Sequence, residues 1–169
     1  MTGTDRDLTD AVRAEVVRHH QVIEQWLAGR APRAAFDLFS AAHAPGFTMV
    51  APDGRLLSRG DVLAEVEAAY GGRPDARIEI RAVAVVTAAP GLVVARYEEW
   101  QDDEGRLATV VLQDGWRWLH LHETWCESSG PGPDGQALAA ARQRARILRS
   151  SASPCQAASS GIAYGSQIS

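Results

Sequence analysis

The sequence predicts one α+β domain, with two or three helices packed against a curved antiparallel sheet. Apolar residues recur at helical spacing through the first part of the chain, whereas residues 77–125 alternate with the period of strands. With 169 residues and 46% hydrophobic content, the chain suffices for one hydrophobic core and is short for two ordinary domains. Helices followed by consecutive strands are typical of the α+β class rather than of alternating parallel folds.

The first helix is predicted between Thr4 and Gly29 from one continuous apolar stripe. The stripe consists of Val12, Val16, Ile23 and Leu27. Pro32 suits the first turn of a second helix, which we expect to end near Ala44, before Pro45. Both helices are therefore expected to pack on the sheet.

A short hairpin and a third helix are predicted next. Residues 47–51 and 55–57 are expected to be strands joined by Asp53-Gly54, a pair typical of hairpin turns. Ser58 with Asp61 three residues later resembles a capping box, which predicts that a helix begins there. The apolar stripe of this helix is Val62, Val66 and Tyr70, and Gly71-Gly72 would end it.

Four antiparallel strands are predicted at residues 77–86, 92–101, 106–113 and 116–125. If Asp114-Gly115 is a two-residue turn, Gln113 pairs with Trp116 and Val111 pairs with Trp118. A turn around Asp103-Glu104 likewise pairs Gln101 with Arg106 and Glu99 with Ala108. Alternation along these strands then defines two faces of the sheet.

The first face is mainly apolar and suits contact with the helices, yet it includes Tyr97, Glu99 and Glu123. Burying a carboxylate is unfavourable and raises its pKa, so one of these glutamates could act as a general acid or base. Tyr97 could donate a hydrogen bond to a developing oxyanion. The structural alternative is a buried pair of Glu123 with Arg106 and a solvated Glu99 at the end of the sheet.

The second face carries more aromatic and histidine side chains than a solvent-exposed surface usually does, so we expect homodimerisation through it. The expected contact residues are Trp100, Trp116, Trp118, His120 and His122. Metal binding by His120 and His122 with Glu98 is the alternative, but Glu98 lies about 10 Å away across two strand spacings, so we expect no metal. His43 is either a pocket acid or base, or a histidine at a helix end.

The composition narrows the class of partner. The net charge of −4, with both signs interspersed, gives no basic surface for nucleic acid. No apolar run reaches the roughly 20 residues of a membrane span and no secretory signal is evident, so a cytoplasmic protein without membrane contact is expected. Cys126 and Cys155 have no metal-binding spacing, and no cofactor is expected.

The chain divides into a domain at residues 1–127 and a segment of different composition at residues 128–169. The second segment begins with a Ser/Gly/Pro linker, continues with a possible Arg-rich helix at residues 134–149, and ends in a Ser/Ala-rich stretch. We expect a tail that is disordered in large part.

Three segments of the domain resemble the nuclear transport factor 2-like superfamily, and within it the small SnoaL-like domains of unknown function. They are residues 43–54, HAPGFTMVAPDG; residues 96–101, RYEEWQ; and residues 116–125, WRWLHLHETW. The last segment is also similar to the association domain of calmodulin-dependent kinase. The resemblance covers residues 8–127 and the order of elements agrees with it.

The resemblance implies a cone-shaped cystatin-like fold, in which a strongly bent sheet wraps around the long first helix and leaves a pocket between them. Proteins with this fold commonly form dimers through the sheet. Ketosteroid isomerase, scytalone dehydratase and polyketide cyclases belong to this superfamily, alongside members that only bind or assemble. The positions that could do chemistry here are Tyr97, Glu99, Glu123 and His43. The expected pocket lining is Phe47, Met49, Tyr70, Tyr97, Val110, Leu119 and Leu121.

The expected function is therefore binding of a small hydrophobic, polyketide-like metabolite, with isomerase, cyclase or lyase activity through carboxylate acid/base chemistry. The alternative is a non-catalytic ligand-binding or dimerisation module. The pocket carboxylates would carry the first function, whereas the outer sheet face would carry the second.

Overall fold

The computed structural model describes residues 3–126, which form three helices and one six-stranded sheet. The helices are α1 Gly3–Leu27, α2 Ala35–Ala42 and α3 Arg59–Ala68. The strands are β1 His43–Val50, β2 Leu56–Ser58, β3 Ile78–Ala89, β4 Leu92–Gln101, β5 Glu104–Gln113 and β6 Arg117–Trp125. The predictions for residues 128–169 lie outside the described part of the chain.

The helix boundaries follow local sequence chemistry. The helix α1 ends before Gly29, whose φ of +68° is a conformation that glycine adopts without strain. The predicted capping box at the start of α3 is confirmed, because the Ser58 hydroxyl accepts from the Asp61 N–H and the Asp61 carboxylate accepts from the Ser58 N–H.

The sheet has the strand order β2-β1-β6-β5-β4-β3 and is open. The strands β1 and β6 pair in parallel, and every other neighbouring pair is antiparallel. The predicted α+β class with a mostly antiparallel sheet and a long first helix is confirmed. Strand β1 starts at His43, directly after α2, and not at Phe47 as predicted.

The predicted register between β4 and β5 was wrong by two residues. A tight turn at Asp102-Asp103 pairs Gln101 with Glu104, and Asp102 takes a φ of +55°. Strand β5 is therefore longer than predicted, and Glu99 pairs with Arg106 instead of Ala108. Because strand side chains alternate with a period of two, a shift of two residues leaves every side chain on its predicted face.

The predicted turn between β5 and β6 was also wrong, and this error moves one tryptophan. Trp116 has a φ of +60° and extends the turn, so Leu112 pairs with Trp118. A β-bulge then restores the predicted faces, and Val111 pairs with His120. Trp118 consequently lies inside the protein, whereas His120 and His122 keep their predicted side.

The core lies between α1 and the inner face of β4, β5 and β6. Trp118 is 0% exposed there, and its indole N–H donates to the Glu15 carboxylate at 3.0 Å. The other fully buried large side chains are Trp26, Tyr97, Leu112, Val12, Val16 and Val110. None of the helices within residues 3–126 is both long and apolar enough to cross a membrane.

Candidate functional site

Three of the four predicted catalytic residues lie together on the inner face of the sheet. Tyr97 on β4 and Glu123 on β6 both pair with Ala108 of the intervening strand β5, so the three residues form one row. The side chain of Ala108, between Tyr97 and Glu123 in this row, is a single methyl group. Glu99 lies two residues beyond Tyr97 and faces the same way.

The helix α1 contributes His20, a residue that the sequence interpretation did not select. Its Nδ1 lies 2.7 Å from the carbonyl oxygen of Val16, and its Nε2 lies 3.3 Å from Oε2 of Glu99. The helical spacing could have identified His20, because residues 19 and 20 follow Val16 by three and four positions and so lie on the same helix face as Val12 and Val16. The buried stripe of α1 thus contains polar as well as apolar side chains.

The two carboxyl groups are bridged by one guanidinium. Nη1 of Arg106 lies 3.5 Å from Oε1 of Glu99 and 3.5 Å from Oε2 of Glu123. The side-chain amide of Gln101 donates to Oε1 of Glu99 at 2.5 Å. Glu99 is 4% exposed and Glu123 is 2% exposed, so the predicted pair of Glu123 with Arg106 is present, whereas the alternative of a solvated Glu99 was wrong.

The environment gives the two carboxyl groups opposite protonation behaviour. Burial, together with the negative charge of Glu99, raises the pKa of Glu123 from 4.5 to about 7. Burial also acts to raise the pKa of Glu99, but the hydrogen bond and charge of His20 and the charge of Arg106 outweigh it and lower that pKa to about 2. One ionised carboxylate thus lies beside a carboxyl group that titrates near neutral pH.

His20 and Tyr97 complete this electrostatic arrangement. Burial acts to lower the pKa of His20, yet the hydrogen bond to Glu99 and its negative charge raise that pKa above its ordinary value. Burial, followed by the charges of Glu123 and Glu99, raises the pKa of Tyr97 well above its ordinary value. The phenol therefore remains protonated and is available as a donor.

The hydroxyl group of Tyr97 is buried without a hydrogen-bond partner among residues 3–126. The side chain is 0% exposed, and its ring packs edge-on against His20 with 5.4 Å between centroids. Nearly all buried polar atoms in proteins have a partner, so an exception indicates a ligand site or another functional requirement.

His43 belongs to a different cluster from the carboxyl groups. Its Nδ1 lies 2.9 Å from the carbonyl oxygen of Phe39, and its ring packs edge-on against Phe39, Phe47 and His19. Burial lowers its pKa to about 4, so the imidazole is neutral. This environment fits the structural interpretation of His43 better than that of an acid or base beside Glu123.

Some of the expected pocket residues lie in the core, and others lie outside it. Phe47, Val110 and Leu121 are core residues, and Met49 packs against them. The prediction for Tyr70 was wrong, because its side chain is 42% exposed and its hydroxyl donates to the carbonyls of Gly29 and Ala31. Leu119 is half-buried at the β-bulge, while Trp118 takes the inward position.

A groove of about 270 Å³ opens at the other end of the sheet, far along β4 from Glu99. Its lining includes Leu8, Leu92, Val93, Leu112 and Trp116. None of the predicted catalytic residues lines it.

The outer face differs from the predicted contact surface. Trp116 lies in the turn and packs against the core, and Trp118 is buried, so Trp100 is the tryptophan that remains on this face. His120 shares a hydrogen bond of 2.8 Å with Thr48. Within the described residues no three potential ligands cluster as a metal site would require.

The comparisons with solved structures agree on the fold. An NTF-2-like protein of unknown function from Pseudomonas aeruginosa is 35% identical, with a TM-score of 0.65; the match covers 69% of this chain and 98% of that one. A domain with a cystatin-like fold from Nostoc punctiforme is 19% identical, with a TM-score of 0.52 and coverage of 89% and 98%.

A protein of unknown function from Pectobacterium atrosepticum is similar in fold at 14% identity, with a TM-score of 0.53 and coverage of 75% and 98%. No protein-family model matches the sequence. No curated protein matches it either.

Proposed function

Because the chain belongs to the nuclear transport factor 2-like family, we propose that its inner sheet face binds a small hydrophobic molecule and exchanges a proton with it through Glu123. The apolar neighbours Val110 and Leu121 would contact the body of the molecule. Tyr97 would donate a hydrogen bond to its polar group.

The hydroxyl of Tyr97 is the observation that carries this proposal. A buried hydroxyl without a partner costs about 1–3 kcal/mol of stability, so a purely structural core would gain from phenylalanine at this position. A ligand oxygen that accepts from the phenol would remove that penalty in the complex. The unpartnered hydroxyl therefore supports a role of Tyr97 in binding.

Glu123 has the protonation behaviour of a general acid or base. Its pKa of about 7 lets it take up and release a proton near neutral pH, which is the condition for efficient proton transfer. In the simplest reaction its carboxylate removes a proton from carbon beside a carbonyl group while Tyr97 donates to the carbonyl oxygen. Return of the proton to another carbon gives a cofactor-independent isomerisation. Attack of the enolate on a second carbonyl carbon of the substrate, whose oxygen takes the proton, gives a cyclisation, and loss of a β-hydroxyl group that takes the proton as water gives an elimination.

A non-catalytic ligand-binding or dimerisation module is the second candidate, and the outer face favours it. Leu107 is 44% exposed there, near Trp100 and His122 on neighbouring strands. A second copy of the chain covering this face would give the expected homodimer. Size-exclusion chromatography with light scattering tests this, since Leu107→Glu should then yield monomers.

Proton exchange with a simple ketone separates the two candidates. The full-length protein is incubated with 2-tetralone in D2O, and deuterium incorporation beside the carbonyl is followed by proton NMR. We expect Glu123→Gln to abolish the catalysed exchange and Tyr97→Phe to reduce it by 10²-fold or more, about the effect of losing one oxyanion donor. Glu79→Gln, on the exposed outer face, should match the wild type.

Exchange that is equally fast in the wild type and Glu123→Gln would refute the catalytic proposal. Exchange no faster than in protein-free buffer would also refute it. The non-catalytic module would then be the better account of the fold.

A further inference from the structure

The groove of about 270 Å³ lies where the start of α1 meets two turns of the sheet. Its lining includes Leu8 of α1, Gly91 and Leu92 of the turn between β3 and β4, and residues 114–116 of the turn between β5 and β6. The volume is slightly below the roughly 300–1,000 Å³ of sites for drug-sized ligands, so a smaller organic molecule fits it. Tyr97 and Glu123 do not line the groove, so a ligand here is independent of the proposed function.

The side chains that line the groove are mainly apolar. Leu8, Val93 and Trp116 are partly buried and pack against the core, and Leu92 is 36% exposed. Transfer of an apolar group from water to such a concave surface is favourable in proportion to the area that it covers. The lining therefore favours a ligand with an apolar body.

Trp116 has an unusual backbone conformation at the groove. Its φ is +60°, and that of the preceding Gly115 is +73°. Glycine adopts such values without strain, whereas for a bulky residue they are genuine outliers. Strained residues of this kind cluster at ligand-binding and active sites. The conformation thus points to a use of the Trp116 indole in the groove.

The Trp116 ring also lacks the partners that the other tryptophan rings have. Three of those rings have an arginine 5.0–5.6 Å from the ring centroid and one stacks on His19; they are Trp26, Trp100 and Trp125, and Trp118. Among residues 3–126 no arginine or aromatic ring takes a corresponding place at Trp116. A cation within about 6 Å of an indole face is attracted by its π electrons. The Trp116 ring can therefore receive a cation that belongs to a ligand.

Asp114 is the one ionisable residue among the described residues that line the groove. Its N–H donates to the carbonyl oxygen of Gly91 at 3.2 Å, which joins the two turns. Its carboxylate lies over Gly91, since a methyl group on that glycine would be 3.3 Å from Oδ2. Within residues 3–126 this carboxylate forms no ion pair, so its negative charge is available to a ligand.

The surroundings of the groove are negative as well. Residues 5–10 of α1, on either side of Leu8, contain three aspartates and one arginine. These carboxylates outweigh the positive end of the α1 dipole, which is equivalent to about half a charge. Arg117 follows Trp116 in the chain but does not line the groove. A surface of this sign attracts cations and repels anions.

We propose that the groove binds a small organic ammonium ion with an apolar body. The ammonium group would pair with the Asp114 carboxylate beside the Trp116 ring. The body would cover the apolar side chains of Leu8 and Leu92. The apolar lining, the unpartnered indole and the unpaired carboxylate each match one part of such a molecule.

Three probes with the same aromatic body test the charge of the ligand on the full-length protein: 2-phenylethylammonium, 2-phenylethanol and 3-phenylpropanoate. NMR titrations follow the indole N–H of Trp116, which is identified by its loss in Trp116→Leu. We expect the ammonium to bind about three- to thirtyfold more tightly than the alcohol, the combined effect of one exposed ion pair and one cation–π contact. The carboxylate should bind most weakly. The preference should shrink in about 1 M sodium chloride, where the Debye length is only about 3 Å.

Two matched variants make the test specific. Asp114→Asn should lower the affinity for the ammonium about two- to fivefold and leave that for the alcohol unchanged. Asp103→Asn alters an exposed aspartate in the turn between β4 and β5, at the other end of the sheet, and should bind all three probes as the wild type does. Asp114→Asn changes an exposed side chain, so it decides the question even where Trp116→Leu is unstable.

Equal affinities for the ammonium and the alcohol would overturn the proposal, as would an unchanged ammonium affinity in Asp114→Asn. Binding that leaves the Trp116 signal unmoved, or no binding at millimolar concentration, would overturn it too. The ketone exchange assay reports on Glu123, which does not line the groove. Failure of either proposal therefore leaves the other standing.

Discussion

Replacing Tyr97 with phenylalanine should stabilise the free protein. The hydroxyl is 0% exposed and lacks a hydrogen-bond partner within residues 3–126, so the substitution removes a desolvated polar group and leaves the ring in place. Relief of one unsatisfied buried group corresponds to about 1–3 kcal/mol in the free energy of unfolding. For a domain of this size that is an increase in Tm of roughly 3–10 °C.

Urea denaturation followed by circular dichroism measures this change, and Tyr70→Phe is the matched control. The Tyr70 hydroxyl donates to the carbonyls of Gly29 and Ala31, so its removal should cost about 0.5–1.5 kcal/mol. The two tyrosines should therefore respond with opposite signs. A loss of stability in Tyr97→Phe comparable to that in Tyr70→Phe would mean that the Tyr97 hydroxyl has a partner, and the argument for a ligand would fail.

The other predictions concern Glu123, the Trp118 contact and the start of α3. The pKa of Glu123 is about 7 in the folded protein and 4.5 in the unfolded chain, so the unfolded chain releases this proton first as the pH rises from 4.5 to 7. Relative to Glu123→Gln, wild-type stability in urea titrations should therefore fall by on the order of 3 kcal/mol over that range. Glu15→Leu leaves the Trp118 indole N–H without its acceptor and should lower the free energy of unfolding by about 1–3 kcal/mol in the same assay. Glu15→Gln keeps an acceptor oxygen and should lower it less. Ser58→Ala removes one half of the capping box and should lower the thermal stability by about 1 kcal/mol, and an unchanged Tm would contradict the assigned cap.

The sequence predicted correctly those features that depend on residues close together in the chain. The Ser58 capping box and the order of helices and strands are two such features. The face of Glu99 was correct although its partner was wrong, because the turn at Asp102 moved the register by an even number of residues.

The inward position of Trp118 could not be predicted in the same way. It depends on Trp116 adopting a positive φ, which is rare for a bulky residue and is stabilised here by tertiary packing. The β-bulge that follows returns His120 and His122 to their predicted face. The alternation of residues in the sequence therefore gives no sign that Trp118 points inward.

His20 was missed for a different reason. The stripe of α1 was defined by apolar residues alone, although the helical period places His20 on the same face as Val16. Its partner Glu99 lies on a strand far away in the sequence, and only the fold brings the two together. A polar residue on an apolar stripe opposite buried carboxylates is therefore a useful signal.

Carbon NMR of the glutamate carboxyl groups in the full-length protein tests the central claim, that burial beside Glu99 makes Glu123 titrate near neutral pH. The resonance of Glu123 is identified by its loss in Glu123→Gln. We predict a titration midpoint near 7 in the wild type and a lower midpoint in Glu99→Gln, where the neighbouring negative charge is removed. A wild-type midpoint near 4.5 would contradict the account.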